Sequence, residues 1–214
     1  MTIPHLIETM RLRAGGSVDR LRRHLGRLSG SAATLGLRCD IDAIAEAIAT
    51  LPATGEDSRL RLELCADGRW TLETFPLPPV RPRRIWRLKF AATRLSSGDP
   101  LLRHKTDRRH LYERARGEYS AKTVDEVLLR NERGEVCEGT ITSIFLHDGA
   151  GRALLTPALS CGLLAGVLRQ QLIDSGRARE AILLPADLET ADRLYVGNSL
   201  RGLLPAQLAS SGHA

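Results

Sequence analysis

The stretch PLPPVRPRR, residues 76–84, divides the chain, because its four prolines cannot join the interior of a helix or of a sheet. Proline-rich segments adopt extended conformations and act as semi-rigid spacers between folded parts. We therefore predict a linker at residues 79–84. It separates a small domain, residues 1–78, from a larger domain, residues 85–214.

The small domain is predicted to contain both strands and helices. Apolar and polar residues alternate in LIETMRLR, residues 6–13, as they do in a strand with one buried face. Apolar residues recur every three or four positions from Val18 to Leu35, which predicts an amphipathic helix, and Asp40 is the predicted cap of a second helix. Residues 59–75 predict a hairpin, because two strand-like runs flank an Asp-Gly turn.

The larger domain is predicted to be a sheet with helices. Four runs have strand-like patterns, at residues 84–92, 124–131, 136–148 and 152–159. Two runs have helical spacing, at residues 108–116 and 164–175. From residue 181 onward the chain mixes short apolar runs with loops. Since both domains mix the two element types, the predicted fold class is α+β.

Composition favours a globular, cytoplasmic protein. With 43% hydrophobic residues, the 214-residue chain can bury a substantial core. It has no apolar stretch of about eighteen residues and no signal-peptide pattern at its start, so we expect neither a membrane span nor export. The four cysteines lack the spacing of zinc ligands, and we expect reduced thiols and no metal.

The formal net charge of +6 is compatible with a nucleic-acid partner. The arginines are dispersed, however, and aromatic residues make up only 4% of the chain, so no stacking platform accompanies them. We therefore expect no nucleic acid, and instead a solvated basic surface or a pocket for a small anion. Only Lys89, Lys105 and Lys122 are lysines, which leaves three candidates for an amine nucleophile.

Four sequence blocks carry the strongest functional signal. They are HLGRL at residues 24–28, HKTDRRHLYERA at 104–115, EVCEGTITSIF at 135–145, and the pair LSCGLLAGVLR at 159–169 and VGNSLRGLLPA at 196–206. In this order and at these intervals they resemble the motifs of the class IV aminotransferase family. The resemblance implies the two-domain fold type IV architecture of D-amino-acid aminotransferases and the cofactor pyridoxal 5'-phosphate.

The resemblance assigns a role to one residue in each of the first three blocks. Lys105 matches the lysine that binds the cofactor covalently, Arg27 matches the arginine that binds its phosphate, and Glu138 matches the carboxylate at its pyridine nitrogen. The chemistry requires such groups, because a partly neutral amine must attack an aldehyde and the ring must stay protonated to accept electrons. Lys89 and Lys122, in a strand pattern and a predicted loop, are interpreted as ordinary lysines.

The fourth block implies a phosphate site. A helix N-terminus offers backbone N–H groups and the positive end of a dipole to a phosphate. By resemblance the residues that form this site are Gly166, Val167 and Leu168. Asn198 and Ser199 match residues that lie near the phosphate or the substrate.

Three further residues are candidates for contacts with the substrate or the cofactor ring. Arg109 and Tyr112 occupy the later positions of the lysine block, and Thr9 matches a threonine over the substrate face of the cofactor. Ser143 departs from the family pattern, which usually has asparagine there. Its hydroxyl can still donate a hydrogen bond.

The resemblance leaves more than one activity open. The blocks around Thr9 and Lys105 are most similar to aminodeoxychorismate lyase and to the lyase-like half of fused aminodeoxychorismate synthases. A branched-chain or D-amino-acid transaminase is the alternative, and a cofactor-free basic binding protein derived from the enzyme is the third. Members of this family usually begin with a further segment before the first block. We expect this chain to have the shorter start that is found in the fused lyase halves. The implied substrate is small, anionic and amino-acid-like, and the implied assembly is a homodimer.

Overall fold

The computed structural model describes residues 4–79, 84–149, 151 and 153–209, which form two compact units. The first holds the described residues up to Pro79 together with His104–Arg108, and the second holds the others. Of the predicted linker, residues 80–83 lie outside the described residues. The predicted boundaries assign His104–Arg108 to the larger domain, but this segment lies with the first unit because it pairs with the first strand.

The first unit is a three-stranded antiparallel sheet with two helices. Its elements are β1 (Leu6–Leu12), α1 (Leu21–Leu35), α2 (Ile41–Ala49), β2 (Ser58–Leu64) and β3 (Trp70–Pro76), and the strand order is β1-β2-β3. Alternate residues of β2, namely Leu60, Leu62 and Leu64, are fully buried. This period of two confirms the predicted strand and hairpin, with the polar residues between them on the opposite face.

Helix α1 begins three residues later than its apolar spacing predicts. Val18 pairs with Leu12 in an isolated bridge, and the N–H of Asp19 donates to the carbonyl oxygen of Arg11 at 3.0 Å. Arg20 then adopts the left-handed conformation, with φ of 58°, and the helix starts at the next residue. The backbone groups of Val18 and Asp19 pair with β1 and therefore cannot form the hydrogen bonds of a helix. The spacing of apolar residues does not reveal this competition between strand pairing and helix formation.

The second unit is built on an eight-stranded sheet. Its strands are β4 (Trp86–Leu95), β5 (Glu126–Asn131), β6 (Val136–Gly139), β7 (Ser143–His147), β8 (Leu154–Pro157), β9 (Ala178–Ala181), β10 (Arg193–Asn198) and β11 (Gly202–Leu208). Its helices are α3 (His110–Gly117), α4 (Val167–Asp174) and α5 (Pro185–Glu189). The strand order is β6-β5-β4-β11-β10-β7-β8-β9, and β4 is parallel to both of its neighbours.

Two parts of this unit differ from the prediction. The run at residues 136–148, predicted as one strand, is two strands separated by a turn at residues 140–142. The end of the chain contains the antiparallel pair β10 and β11, which short apolar runs did not predict. The mixture of helices and strands nevertheless confirms the α+β class. Within the part of the chain that the structure describes, no helix has both the length and the apolar character needed to cross a bilayer.

Candidate active site

The first unit carries a buried charged cluster on the core face of β1. Glu8 shares this face with Leu6 and Met10, because side chains alternate along a strand. Its carboxylate accepts two hydrogen bonds from Arg27, at 2.8 and 2.7 Å, and its Oε2 lies 2.6 Å from Nδ1 of His24. Arg27 and His24 reach the same carboxylate because residues three apart on a helix are neighbours.

Glu8 is ionised at neutral pH. Burial raises the pKa of this carboxyl, but the charge of Arg27 and the hydrogen bonds from His24 and Arg27 outweigh burial and lower it to about 2. A guanidinium that binds a carboxylate through two nitrogens is fixed in its plane as well as its position. The structure therefore holds Arg27, the predicted phosphate ligand, in a defined orientation.

Lys105 lies on a segment that runs beside β1. The N–H of Ile7 donates to the carbonyl oxygen of Lys105 at 2.8 Å, and the N–H of Asp107 donates to the carbonyl oxygen of His5 at 3.1 Å. This pattern extends the sheet beyond its edge by one short segment. The backbone at the predicted nucleophile is therefore fixed by the same strand that carries Glu8.

His104 provides a second anchor next to this lysine. Its Nδ1 lies 2.9 Å from Oγ of Ser31 on α1. Burial lowers the pKa of His104, which favours the neutral imidazole at pH 7. The residue that precedes Lys105 is thus tied to the helix that carries Arg27.

Thr9 lies on the face of β1 opposite to Glu8. It is half-buried, and its partner on β2 is Arg61. Side chains directly opposite each other on paired strands share a face at about 5 Å between Cβ atoms. Arg61 donates to Oε2 of Glu63 at 2.7 Å on the same strand. The register therefore makes Arg61 the cross-strand neighbour of Thr9, and Thr9 lies on the face of β1 opposite to the Glu8–Arg27 pair.

In the second unit, three of the predicted site residues form one connected group. Glu138 on β6 is buried, and its Oε1 accepts hydrogen bonds from the hydroxyl of Tyr112 at 2.7 Å and the N–H of Leu164 at 3.2 Å. Burial and the charge of Glu138 raise the pKa of Tyr112, so its hydroxyl stays protonated and donates. The guanidinium of Arg109 lies 4.8 Å from the centre of the Tyr112 ring and donates to the carbonyl oxygen of Thr140 at 2.5 Å.

The start of α4 has the features of a phosphate site. A Cβ on Gly166 would lie 2.7 Å from Oγ of Ser143, so glycine lets the start of α4 approach this hydroxyl closely. The N–H of Gly166 itself donates to the carbonyl oxygen of Leu164 at 2.8 Å. Among the described residues, no backbone acceptor pairs with the N–H groups of Val167 and Leu168. These two N–H groups, rather than that of Gly166, are therefore available to a phosphate.

Asn198 and Ser199 lie where β10 ends. The side chain of Asn198 accepts hydrogen bonds from the N–H groups of Leu200 and Arg201 at 3.1 and 2.9 Å and donates to the carbonyl oxygen of Ile141 at 3.1 Å. Ser199 is buried. Asn198 therefore fixes the turn after β10, and its contact with a phosphate or substrate stays a prediction.

The two halves of the fourth sequence block are close together. A Cβ on Gly197 would lie 2.9 Å from Cδ2 of Leu168 and 2.7 Å from the carbonyl oxygen of Gly202. The end of β10 therefore packs against the first turn of α4 without room for a side chain. This contact places Asn198, the next residue, near the predicted phosphate site.

The donor set fits pyridoxal phosphate. The guanidinium of Arg27 and the first-turn N–H groups of α4 suit a phosphate, and the amine of Lys105 suits an aldehyde. The buried carboxylate of Glu138 suits a protonated ring nitrogen, since a buried charge needs an oppositely charged or hydrogen-bonded partner. Taken separately, the first unit contains the guanidinium and the amine, and the second contains the carboxylate and the helix start.

Sequence patterns did not single out Glu8, which holds Arg27, or Arg61, which is the cross-strand neighbour of Thr9. A signal for Glu8 exists, because a charged residue at a core-facing position of an alternating strand needs a buried partner. Arg61 could be found only from the register of β1 with β2, which the sequence does not determine.

Comparison with known proteins identifies the family. The sequence model of the class IV aminotransferases matches residues 5–209. A curated protein of Schizosaccharomyces pombe, provisionally named aminodeoxychorismate lyase, is 26% identical over 194 residues, which cover 87% of this chain and 82% of the relative.

Two crystal structures are also similar. A protein of Mesorhizobium loti, provisionally named amino-acid aminotransferase, has a TM-score of 0.92 and 52% identity, with 96% of this chain and 99% of that chain covered. The 4-amino-4-deoxychorismate lyase of Pseudomonas aeruginosa has a TM-score of 0.86 and 26% identity, with 97% and 83% covered. The predicted fold and cofactor are thereby confirmed, and the chain belongs to the class IV aminotransferase family of pyridoxal-phosphate enzymes.

Proposed function

We propose that the protein is an aminodeoxychorismate lyase, which eliminates pyruvate from 4-amino-4-deoxychorismate and gives 4-aminobenzoate, a folate precursor. The observation that carries the proposal is the pairing of Thr9 with Arg61 across β1 and β2. It makes a residue whose hydroxyl can deliver a proton the cross-strand neighbour of an arginine, a residue type that recognises carboxylates and that binds Glu63 in this structure. The similar lyases of S. pombe and P. aeruginosa, matched over 82% or more of either chain, support this reaction.

The roles of the residues follow from their chemistry. Bound pyridoxal phosphate supplies an electron sink for the electron pair left on the substrate carbon when its proton is removed. Lys105 provides the amine that binds the cofactor and then takes the proton from the carbon that bears the substrate amino group. Glu138 holds a proton at the pyridine nitrogen, and Tyr112 orients that carboxylate through its 2.7 Å hydrogen bond. Arg27 and the first turn of α4 bind the phosphate.

The elimination makes two further demands on the protein. The departing enolpyruvyl group must gain a proton to leave as pyruvate, and the hydroxyl of Thr9, directly or through a bound water, is the proposed donor. The substrate also carries two carboxylates. Arg61 and Arg109 are the proposed guanidinium groups that bind them, because arginine recognises a carboxylate through two parallel hydrogen bonds.

A class IV transaminase acting on branched-chain or D-amino acids is the second candidate. The M. loti protein, 52% identical and provisionally named amino-acid aminotransferase, favours it. That reaction exchanges an amino group and has no leaving group to protonate. It would use Lys105, Glu138 and Arg27 in the same way and would leave Thr9 without a role in proton transfer.

The test measures products of the purified holoenzyme. Enzymatically prepared aminodeoxychorismate should give 4-aminobenzoate and pyruvate in equal amounts, while branched-chain or D-amino acids with 2-oxoglutarate should give no transfer of the amino group. The control pair is Lys105→Ala, expected to be inactive, and Lys122→Ala, expected to be active. Transfer of the amino group without 4-aminobenzoate would establish the transaminase instead. A cofactor-loaded enzyme with neither activity would contradict both candidates.

We also propose a cytoplasmic homodimer as the working form, since a second subunit often completes the site in this family. Light scattering of the protein as it elutes from a size-exclusion column should give a molar mass about twice the chain mass of 23.5 kDa. A single-chain mass that persists in the active, cofactor-loaded enzyme would contradict the dimer.

A further inference from the structure

Glu126, at the start of β5, is a buried carboxylate to which the proposed reaction gives no role. It is only 1% exposed. Its Oε1 accepts from the N–H of Val127 at 2.9 Å and from the N–H and hydroxyl of Thr140 at 3.1 and 2.6 Å. Its Oε2 accepts from the N–H of Ile141 at 3.1 Å and the hydroxyl of Thr142 at 2.8 Å. These five hydrogen bonds compensate for the loss of water around the carboxylate.

Four of the five hydrogen bonds come from the turn between β6 and β7, residues 140–142. The turn closes tightly around the carboxylate, because a Cβ on Gly139 would lie 2.8 Å from both Cγ and Cδ of Glu126. The N–H of Gly139 also donates to the carbonyl oxygen of Thr142 at 2.8 Å. The position of the turn is therefore determined by the carboxylate inside it.

The same turn presents two carbonyl oxygens to predicted site residues. The carbonyl oxygen of Thr140 accepts from Nη2 of Arg109 at 2.5 Å, and that of Ile141 accepts from Nδ2 of Asn198 at 3.1 Å. Arg109 in turn lies over the ring of Tyr112, whose hydroxyl binds Glu138. A continuous set of contacts thus leads from Glu126 to the carboxylate assigned to the cofactor.

We infer that Glu126 is a positioning residue for the active site: by ordering the turn at residues 140–142, it sets the orientation of Arg109 and, through it, of Tyr112 and Glu138. The inference rests on the proposed function, which gives Arg109 its substrate carboxylate.

The primary variant is Glu126→Gln in the cofactor-loaded enzyme. The amide replaces one acceptor by an NH₂ group that faces N–H and O–H donors, so the turn must shift. We expect KM for aminodeoxychorismate to rise about tenfold to a hundredfold, with a smaller change in kcat. This rise corresponds to the loss of one hydrogen bond between Arg109 and the charged carboxylate of the substrate. The control is Glu118→Gln, an exposed carboxylate that likewise accepts backbone and hydroxyl hydrogen bonds, from Ala92 and Thr93, and that lies outside the turn.

A double-mutant cycle with Arg109→Ala separates positioning from general stability. If Glu126 acts through Arg109, Glu126→Gln should raise KM little further once Arg109 is absent, whereas independent effects would multiply. Should Glu126→Gln fail to fold, Thr142→Val keeps the volume, removes one donor to Oε2 and enters the same cycle. Unchanged KM, or effects that multiply fully in the cycle, would overturn the inference.

Hydrogen exchange provides a readout that does not need turnover. In the variant, peptides containing residues 139–145 and 109–113 should exchange faster than in wild type, with peptides of the first unit and the Glu118→Gln protein unchanged. If the wild type shows neither lyase nor transaminase activity, the proposed function fails, and exchange alone decides the inference. Wild-type exchange rates in both peptides of Glu126→Gln would then overturn it.

Discussion

The N–H of Ile7 donates a 2.8 Å hydrogen bond to the carbonyl oxygen of Lys105, although nearly half of the chain separates them in sequence. The neighbouring residues Leu6 and Thr106 form an isolated antiparallel bridge. The segment that carries Lys105, the predicted nucleophile, is thus part of the first unit, together with Glu8 and Arg27. The position of Lys105 is therefore tied to the stability of a small sheet rather than to the large one.

Lys105→Ala should retain the fold and lose both the covalent link to the cofactor and the activity. The residue's backbone contacts with β1 do not depend on its side chain, so the melting temperature of the apoprotein should hardly change. Borohydride reduction of the loaded wild type, followed by peptide mapping, should label Lys105 alone. Lys122→Ala is the control and should keep the label. Label on Lys89 or Lys122 of the wild type would refute the assignment.

Glu8→Gln should destabilise the first unit in a pH-dependent way. Since the folded-state pKa of Glu8 is lowered from 4.5 to about 2, the ionised carboxylate contributes stability above about pH 4.5 that is lost as the pH falls toward 2. The contribution at pH 7 is on the order of 3 kcal/mol. The deficit of the variant should therefore be large at pH 7 and shrink toward pH 3.

This deficit is measurable by denaturant unfolding with Trp70 as the reporter, in a Trp86→Phe background, because Trp70 lies in the first unit and Trp86 in the second. Glu73→Gln, an exposed glutamate on β3, is the control and should show no deficit at either pH. An equal deficit for Glu8→Gln at pH 7 and pH 3 would contradict the linkage.

Arg27→Ala should lower both the affinity for the cofactor and the stability of the apoprotein, and a second substitution can separate these two effects. It removes the proposed phosphate ligand and leaves Glu8 as a buried charge without its guanidinium partner, which typically destabilises by about 3–5 kcal/mol. In the double variant Glu8→Gln/Arg27→Ala, apoprotein stability should largely return. Cofactor affinity should stay reduced about tenfold to a hundredfold in both variants. Recovery of cofactor affinity together with stability would show that Arg27 does not bind the phosphate.

The family could be predicted from the sequence because its signals are local, and the candidate site residues, which stay predictions, stand within the same signals. Lys105, Arg27 and Glu138 each stand within a short motif, and Asp40 caps α2 by a hydrogen bond to the N–H of Ala43 at 3.0 Å, as its residue type indicates. Local patterns also predicted the hairpin of β2 and β3.

The remaining features depend on pairing between distant parts of the chain. Residues 136–148 have the pattern of one strand, but a turn divides them into two, and this turn binds the side chain of Glu126 on the distant strand β5. The approach of Thr9 to Arg61 depends likewise on a register that no local pattern contains.

Gly166→Ala should weaken cofactor binding by steric displacement alone. The φ of −60° suits alanine, but its Cβ would lie 2.7 Å from Oγ of Ser143 and push the first turn of α4 away. Overpacking of this size typically destabilises by about 1–3 kcal/mol. Ser143→Ala removes the obstructing oxygen, so the double variant Gly166→Ala/Ser143→Ala should recover most of the lost cofactor affinity in a titration. An affinity for Gly166→Ala equal to wild type would argue against phosphate binding at this helix start.

Thr9→Val separates the lyase from the transaminase, because valine nearly keeps the volume of threonine and removes its hydroxyl. The residue lies half-buried on β1 beside Arg61, and a β-branched side chain there is also favourable for the strand itself, so valine preserves that contribution. If the hydroxyl delivers the proton to the departing enolpyruvyl group, formation of 4-aminobenzoate should fall by about 10²-fold or more, the usual lower size of a proton-transfer contribution. Cofactor affinity and melting temperature should stay at wild-type values, and Thr9→Ser, which keeps the hydroxyl, should retain most of the rate.

The decisive measurement is the single-turnover rate of 4-aminobenzoate release by the three proteins loaded with cofactor. A Thr9→Val protein as fast as wild type would exclude the proton relay, and a wild type that only exchanges amino groups with 2-oxoglutarate would make the transaminase the enzyme's activity.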